Sequence, residues 1–192
     1  MSRLLPHYSK GNIAFLCIDL QKAFSDRIAN FQNCVFVANQ FAAFHEVVPQ
    51  HTKFIVTEQY PKGLGHTVPE VHVPKSAVVA SKTCFTCVTP EVAEALKNYD
   101  NVVIFGIEGH VCVLQTAADL LDLKKRVFLP IDGVGSQKKT DLEGAVSLMR
   151  TWGPDLVFSS TESILLQMTK DAKDGEFKKI ANILKNQHPL PI

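Results

Sequence analysis

The chain has 192 residues, with 20 Lys and Arg against 19 Asp and Glu, a formal net charge of +1, 46% hydrophobic residues and 20% charged ones. That length suffices for one domain with a sizeable core, and the near-neutral balance calls for neither nucleic acid nor an anionic membrane as partner. No apolar run reaches transmembrane length, and five cysteines without a secretory leader pattern argue against a disulfide framework.

Ile13-Ala14-Phe15-Leu16-Cys17-Ile18 is a continuous apolar run halted by Asp19, as a strand buried on both faces requires. Asn33 is placed to cap a helix running to about Val47, with Val37, Phe41 and Phe44 on one stripe. Phe54-Ile55-Val56 reads as a second strand before Thr57-Glu58-Gln59, and Ala77-Val78-Val79 as a third before Ser81-Lys82. Thr89-Pro90-Glu91 opens a helix with a capping hydroxyl and a proline at the first helical position, where its missing N–H costs nothing. Val102-Val103-Ile104-Phe105 ends at Gly106, and Cys112 to Leu123 follows as a helix with Val113, Leu114, Ala117, Leu120 and Leu121 on a broad apolar face. Val127-Phe128-Leu129 ends at Pro130, Thr140 with Glu143 resembles a capping box, and Leu156-Val157-Phe158 ends at Ser159. Ser160 to Leu184 reads as one or two helices broken near Gly175, with an apolar face able to dock on a partner, and His188 to Ile192 as an irregular end.

Six short strands alternating with helices are the signature of an α/β fold around a parallel sheet, with no internal repeat, linker or composition shift. The expectation is one domain over residues 1–192, its core at about 12–183. A reduced intracellular compartment, the cytoplasm, is the default, and the mitochondrion stays open although Met1 to Asn12, broken by Pro6 and Gly11, makes a poor presequence.

In an open parallel sheet, ligands bind outside the carboxyl ends of the strands. Asp19, Thr57-Glu58-Gln59, Lys82 and Gly106-Ile107-Glu108 all fall there, and Cys112 follows where a helix begins. A helix N-terminus favours a thiolate, and Lys82 at a neighbouring strand end favours it further. Asp19 can take the thiol proton and return it to a leaving group. Alone, a cysteine opening an apolar helix reads as buried packing; the convergence of acid, base and thiol on one rim gives the catalytic reading its weight.

Asp19-Leu20-Gln21-Lys22-Ala23-Phe24, Ser81-Lys82-Thr83-Cys84-Phe85 and Gly106-Ile107-Glu108-Gly109-His110-Val111-Cys112-Val113 resemble the three signature blocks of isochorismatase-like cysteine hydrolases. Val56 to Gly65 and Ser159-Ser160-Thr161-Glu162-Ser163 are more similar still to the isochorismatase domain-containing proteins of eukaryotes. The resemblance implies a three-layer αβα sandwich with a six-stranded, mainly parallel, Rossmann-like sheet, and a catalytic triad of Asp19, Lys82 and Cys112. It also implies a cis peptide at Ile107-Glu108, with the backbone N–H groups of Glu108 and Cys112 forming an oxyanion hole. The implied reaction is thiolate attack on a small amide or ester carbonyl, an acyl-enzyme, then hydrolysis by water, with no cofactor and a homo-oligomeric assembly.

Nicotinamidases of this superfamily hold a metal with an Asp-x-His pair and a later His. Here the matching stretch is Gln59-Tyr60-Pro61, so only His66 remains and no metal is expected. Phe24 and Tyr60 are candidates for the pocket wall, Gln21 for orienting substrate or Lys82, and His110 for lining the pocket or bonding within its own turn. Cys84-x-x-Cys87 has redox spacing without a strand-to-helix placement, and Cys17 and Cys34 read as packed thiols. Two alternatives stay open. One is a catalytically quiet binding or scaffold protein on the same fold. The other is a ribonuclease, the mitochondrion-associated label carried by trypanosomatid proteins of this appearance, for which the residues offer little support.

Overall fold

A computed structural model describes residues 3–191; residues 1, 2 and 192, the ends of the expected domain, lie outside that set. Seven strands follow in chain order: β1 (Ile13–Ile18), β2 (Thr52–Gln59), β3 (Val78–Lys82), β4 (Asn101–Ile107), β5 (Arg126–Pro130), β6 (Val134–Gly135) and β7 (Leu156–Ser159). All pair in parallel, in the order β3-β2-β1-β4-β5-β7, with β6 beside β4. The six expected strands are present, and β6 is an addition that two residues of sequence could not announce. β5 pairs with β4 only as far as Val103; after the turn Ile131–Gly133, Val134 and Gly135 resume pairing with Gly106 and Ile107.

The helices are α1 (Phe31–Val47), α2 (Pro61–Leu64), α3 (Pro90–Ala95), α4 (Leu114–Asp122), α5 (Lys139–Met149), α6 (Thr161–Thr169) and α7 (Phe177–Leu184). Strand alternation sends successive side chains to opposite faces, which divides the core in two. Ile13, Phe15 and Cys17 of β1 join Phe54, Phe105 and Phe128 under α1, α6 and α7. Ala14, Leu16 and Ile18 join Ile55, Ile104 and Leu129 under α3, α4 and α5. The result is a three-layer sandwich. Phe41 of α1 stacks on both Phe15 and Phe105, with centroids 5.1 and 4.8 Å away, and each such fully buried ring contributes about 1.5–3 kcal/mol.

Local signals were kept or overridden according to whether a distant partner competed. Thr89 caps α3, accepting from Val92 N–H, with Pro90 in the first turn, and Ser160 caps α6 through Ser163 N–H. Asn33 does not cap α1, which begins at Phe31 after Asn30. Asn33 instead exchanges two hydrogen bonds with the Leu190 backbone, and Asn30 donates to the Val134 carbonyl. Thr140 and Glu143 form no capping box, because α5 already starts at Lys139. The tail is two helices, broken between 169 and 177, and Ile180 of α7 is fully buried against this chain's own α1 and α6.

Candidate active site

Parallel register brings the polar strand ends together. Ile18 lies opposite both Thr57 and Gly106, and Gln59 lies opposite Lys82. Asp19, the next residue after β1, adopts a left-handed conformation with φ 54°, which a short polar side chain tolerates better than a branched one. Its N–H donates to the Thr57 carbonyl at 3.1 Å and its carbonyl accepts from Gln21 N–H at 2.7 Å. This turn aims the carboxylate along the rim.

The carboxylate is enclosed. Its Oδ2 accepts from Lys82 Nζ at 2.7 Å, and Thr57 Oγ1 donates to its Oδ1 at 2.8 Å. Lys82 Nζ also donates to Gln59 Oε1 at 2.7 Å, to the Phe85 carbonyl at 3.2 Å and to Cys112 Sγ at 3.7 Å. The ion pair is dry, with Lys82 and Asp19 side chains 0% and 2% exposed. Burial alone disfavours the ammonium, but the neighbouring acidic groups, Cys87, Asp19 and Cys112, outweigh it and raise the Lys82 pKa. Lys82 is therefore a fixed cation joining the acid to the thiol.

Cys112 is delivered by tightly constrained backbone. At Gly106, φ is 118° and an added Cβ would lie 2.2 Å from the Ile18 carbonyl oxygen, so β4 passes β1 at a distance only glycine allows. The Ile107–Glu108 peptide is cis. Gly109–Val113 then forms a π-helical turn before α4, and the Val111 and Val113 N–H groups both donate to the Glu108 carbonyl. Gly109 is equally confined, since a Cβ there would meet Leu142 Cδ1 at 2.4 Å.

The ionisation expected of Cys112 needs correcting. The residue sits inside the π turn rather than at the free end of an α-helix, and its pKa is raised. Burial is the largest cause, the Asp19 charge and a hydrogen bond to Asp19 add to it, and Lys82 only partly opposes them. Burial and the Asp19 carboxylate thus favour the protonated thiol, with the Lys82 ammonium pulling the other way.

A cleft of about 550 Å³ opens over Asp19 and Cys112. Phe24 and Tyr60 line it, together with Gln59, Phe85, Glu108 and Val111. Tyr60 and Phe85 are each 53% exposed at its mouth, and Tyr60 is held at φ 37°, its N–H donating to the Lys82 carbonyl at 2.7 Å. Gln21 and His110 do not line the cleft. Gln21 is fully buried; its Nε2 donates to the carbonyls of Gln59 and Gly65, and its Oε1 accepts from Gln59 N–H at 2.6 Å. It braces the strand that carries Gln59, and Gln59, not Gln21, orients Lys82. His110 Nδ1 pairs with Ser136 Oγ at 3.1 Å, and its Nε2 lies 3.8 Å from Asp141.

Thr57 and Gln59 stand on the rim where the sequence placed them, and strand register gives them the roles it had left open, beside Asp19 and Lys82; Phe85 is a lining residue without such a signal. Cys87 is fully buried 3.3 Å from Thr57 Oγ1, its thiol pushed up to about 12 mainly by burial, whereas Cys84 is exposed. Cys17 and Cys34 are buried core thiols. His66 turns to Glu58, Nδ1 to Oε2 at 2.9 Å, and among the described residues no group of three or more His, Cys, Asp or Glu side chains is placed to hold a metal ion.

Comparison with known proteins shows one family. Residues 13–157 match the family described as Isochorismatase domain. The chain is 37% identical over 188 residues to isochorismatase domain-containing protein 2 of Danio rerio, covering 95% of this chain and 90% of that protein. It is 36% identical over 189 residues to isochorismatase domain-containing protein 1 of Salmo salar, covering 97% of this chain but only 65% of that longer protein. A solved Leishmania donovani structure, provisionally described as a Mar1 ribonuclease, is 64% identical over the whole of both chains with a TM-score of 0.98. The Escherichia coli YcaC structure, described as an octameric hydrolase of unknown specificity, shares the fold at TM-score 0.81 and 18% identity, covering 98% of this chain and 92% of that one.

Proposed function

Because this chain belongs to the isochorismatase domain family, we propose that it is a cysteine hydrolase of small amides or esters, with Cys112 as nucleophile and Asp19 and Lys82 as its partners. The observation that carries this reading is the single buried ammonium of Lys82, which touches Asp19 Oδ2 at 2.7 Å and Cys112 Sγ at 3.7 Å under an open cleft. A merely structural ion pair has no need of a thiol as third member.

The proposed reaction starts from the thiol. As Cys112 Sγ bonds to the substrate carbonyl carbon, its proton passes to Asp19, so charge separates only when the nucleophile is used. Lys82 stays protonated throughout and offsets negative charge on sulfur and carboxylate. The carbonyl electron pair moves to oxygen, and the backbone N–H groups of Glu108 and Cys112 are assigned as its donors. Collapse breaks the carbon–nitrogen or carbon–oxygen bond, and protonated Asp19 returns its proton to the leaving amine or alcohol. Water then gives a proton to Asp19, attacks the thioester, and releases the acid as the proton returns to sulfur. No step calls for a metal or cofactor.

The test is a panel of small amides and esters assayed with wild type, Cys112→Ala and Lys82→Ala, with intact mass to catch an acyl group on Cys112. Turnover lost in both variants, with circular dichroism unchanged, is the expected result. Full activity in Cys112→Ala would discard the nucleophile assignment. Wild type inert across the panel would favour the binding-protein alternative.

A second reading comes from the description of the Leishmania protein as a ribonuclease, at 64% identity. The cleft at Cys112 presents two carboxylates, Asp19 and Glu108, where phosphodiester binding wants cations or metal. RNA cleavage surviving both EDTA and Cys112→Ala would place that activity elsewhere on the chain. A homo-oligomer is also proposed, by analogy with the octameric fold relative, and light scattering decides its size. No helix among the described residues is long and apolar enough to cross a membrane.

A further inference from the structure

The charges facing the cleft restrict which carbonyl compounds can reach Cys112. Among the described residues, the one charged side chain in the lining apart from Asp19 is Glu108, which is 13% exposed: the Gln137 N–H donates to its Oε2 and Gln137 Nε2 to its Oε1, each at 2.9 Å, and His110 Nδ1, itself bonded to Ser136, lies 3.9 Å from Oε2. Among the described residues, no Lys or Arg lines the cleft. The cation nearest the thiol, Lys82, is fully buried and already held by Asp19 and Gln59 at 2.7 Å each, so it has no free face for a ligand carboxylate. Lys62 lines a neighbouring groove with Cys84 instead. Phe24, Tyr60, Leu64, Phe85 and Val111 supply aromatic or aliphatic wall, and Gln59 and Thr83 add polar groups that carry no charge.

Building on the hydrolase reading, we infer that the site takes neutral carbonyl compounds with an apolar flank and rejects carboxylate-bearing ones, and that Glu108 sets this preference. A ligand carboxylate entering the cleft meets a like charge that cannot turn away, because both Glu108 oxygens are fixed by Gln137. It would also give up water for aromatic walls and find no paired cation in return. A neutral amide meets neither cost, and its flank gains contact with Phe24 and Phe85. The repulsion acts at short range in a partly buried cleft, so salt screens it poorly.

Alkylation of Cys112 by iodoacetamide and by iodoacetate tests this without knowledge of the natural substrate. The two reagents differ mainly in charge, and free N-acetylcysteinamide in the same buffer supplies the intrinsic rate ratio. Peptide mass mapping separates Cys112 from exposed Cys84. The expected result is a preference for iodoacetamide at Cys112 at least tenfold above that of the free thiol, reduced to within about threefold in Glu108→Gln. That variant keeps a side chain able to bond Gln137. Equal ratios at Cys112 and the free thiol would overturn the inference; a ratio unmoved by Glu108→Gln would overturn the role of Glu108. If neither reagent modifies Cys112, thermal shift with benzamide and benzoate at equal millimolar concentration decides: benzamide alone should raise Tm, and an equal or larger shift by benzoate overturns the inference. None of these readouts needs turnover, so a failed amide panel with an intact charge preference would discard the hydrolase reading and leave the ligand class standing.

Discussion

Replacing Lys82 by methionine tests the energetics at the centre of the site. The substitution keeps an unbranched side chain of similar length and removes the charge that contacts Asp19 at 2.7 Å, in a pair whose side chains are 0% and 2% exposed. Asp19 would keep the Thr57 hydroxyl but lose the cation that holds its Oδ2. Stranding one member of a buried pair costs about 3–5 kcal/mol. With an unfolding entropy of about 2.1 cal/mol/K per residue, that lowers Tm by about 7–12 °C for a chain of this length. Urea unfolding at pH 7 measures the loss, alongside Asp19→Asn and the double variant. Because the double variant strands no charge, it should be at least 2 kcal/mol more stable than additivity predicts. The Lys82 pKa is raised in the folded state, so the ion-pair contribution is complete below the unfolded value of about 10.4 and fades as pH rises through the higher folded one. A Lys82→Met loss below about 1 kcal/mol, or additive singles, would refute the picture of a dry, mutually dependent pair.

Three further outcomes follow from single contacts. Thr57→Val removes the buried donor to Asp19 Oδ1 and should cost about 1–3 kcal/mol while lowering kcat more than it changes KM; unchanged kcat on a panel substrate would show that Asp19 needs no such positioning. Glu58→Gln weakens the carboxylate that Thr67 and His66 hold below its usual pKa despite burial, at a cost of about 1–3 kcal/mol at pH 7. Since the folded pKa is depressed, that stabilisation is present above the unfolded value of about 4.3 and vanishes as pH falls through the lower folded one, and a wild type–variant gap that does not narrow as pH falls below about 4.3 would contradict it. Gly106→Ala should cost more than about 3 kcal/mol, because its Cβ would lie 2.2 Å from the Ile18 carbonyl oxygen, whereas Gly144→Ala in the exposed interior of α5 should stabilise by about 0.5–1 kcal/mol. Similar urea midpoints for the two alanine variants would argue against the close approach of β4 to β1.

Much of the architecture was written locally. The apolar runs of β1, β2, β4 and β5 are satisfied by burial in the sheet, whereas edge strand β3 leaves Val79 50% exposed, and the polar residues ending the runs mark the rim where Asp19, Lys82 and Glu108 now stand. Thr89-Pro90 and Ser160 also worked as helix starts, since no distant group competes for their hydroxyls. Asn33 and Thr140 misled for the opposite reason. Asn33 is claimed by the Leu190 backbone 157 positions away, and α5 begins one residue before Thr140.

The chemistry of the site divides in the same way. The sequence by itself determined which residue types reach one edge of the sheet, because strand length and apolarity act over a few neighbours and parallel connections bring all carboxyl ends to the same side. It could not determine their state or their partners. Register between β1, β2 and β3 decided that Thr57 bonds Asp19 and that Gln59 holds Lys82. Gln21, two residues from Asp19 in the chain, was turned inward as a backbone brace. The ionisation of Cys112 depended on the balance of burial with a carboxylate and an ammonium brought from two other strand ends, those of β1 and β3. Desolvation and Coulomb interactions are set by distance in space, so only the tertiary structure could assign that balance to the thiol.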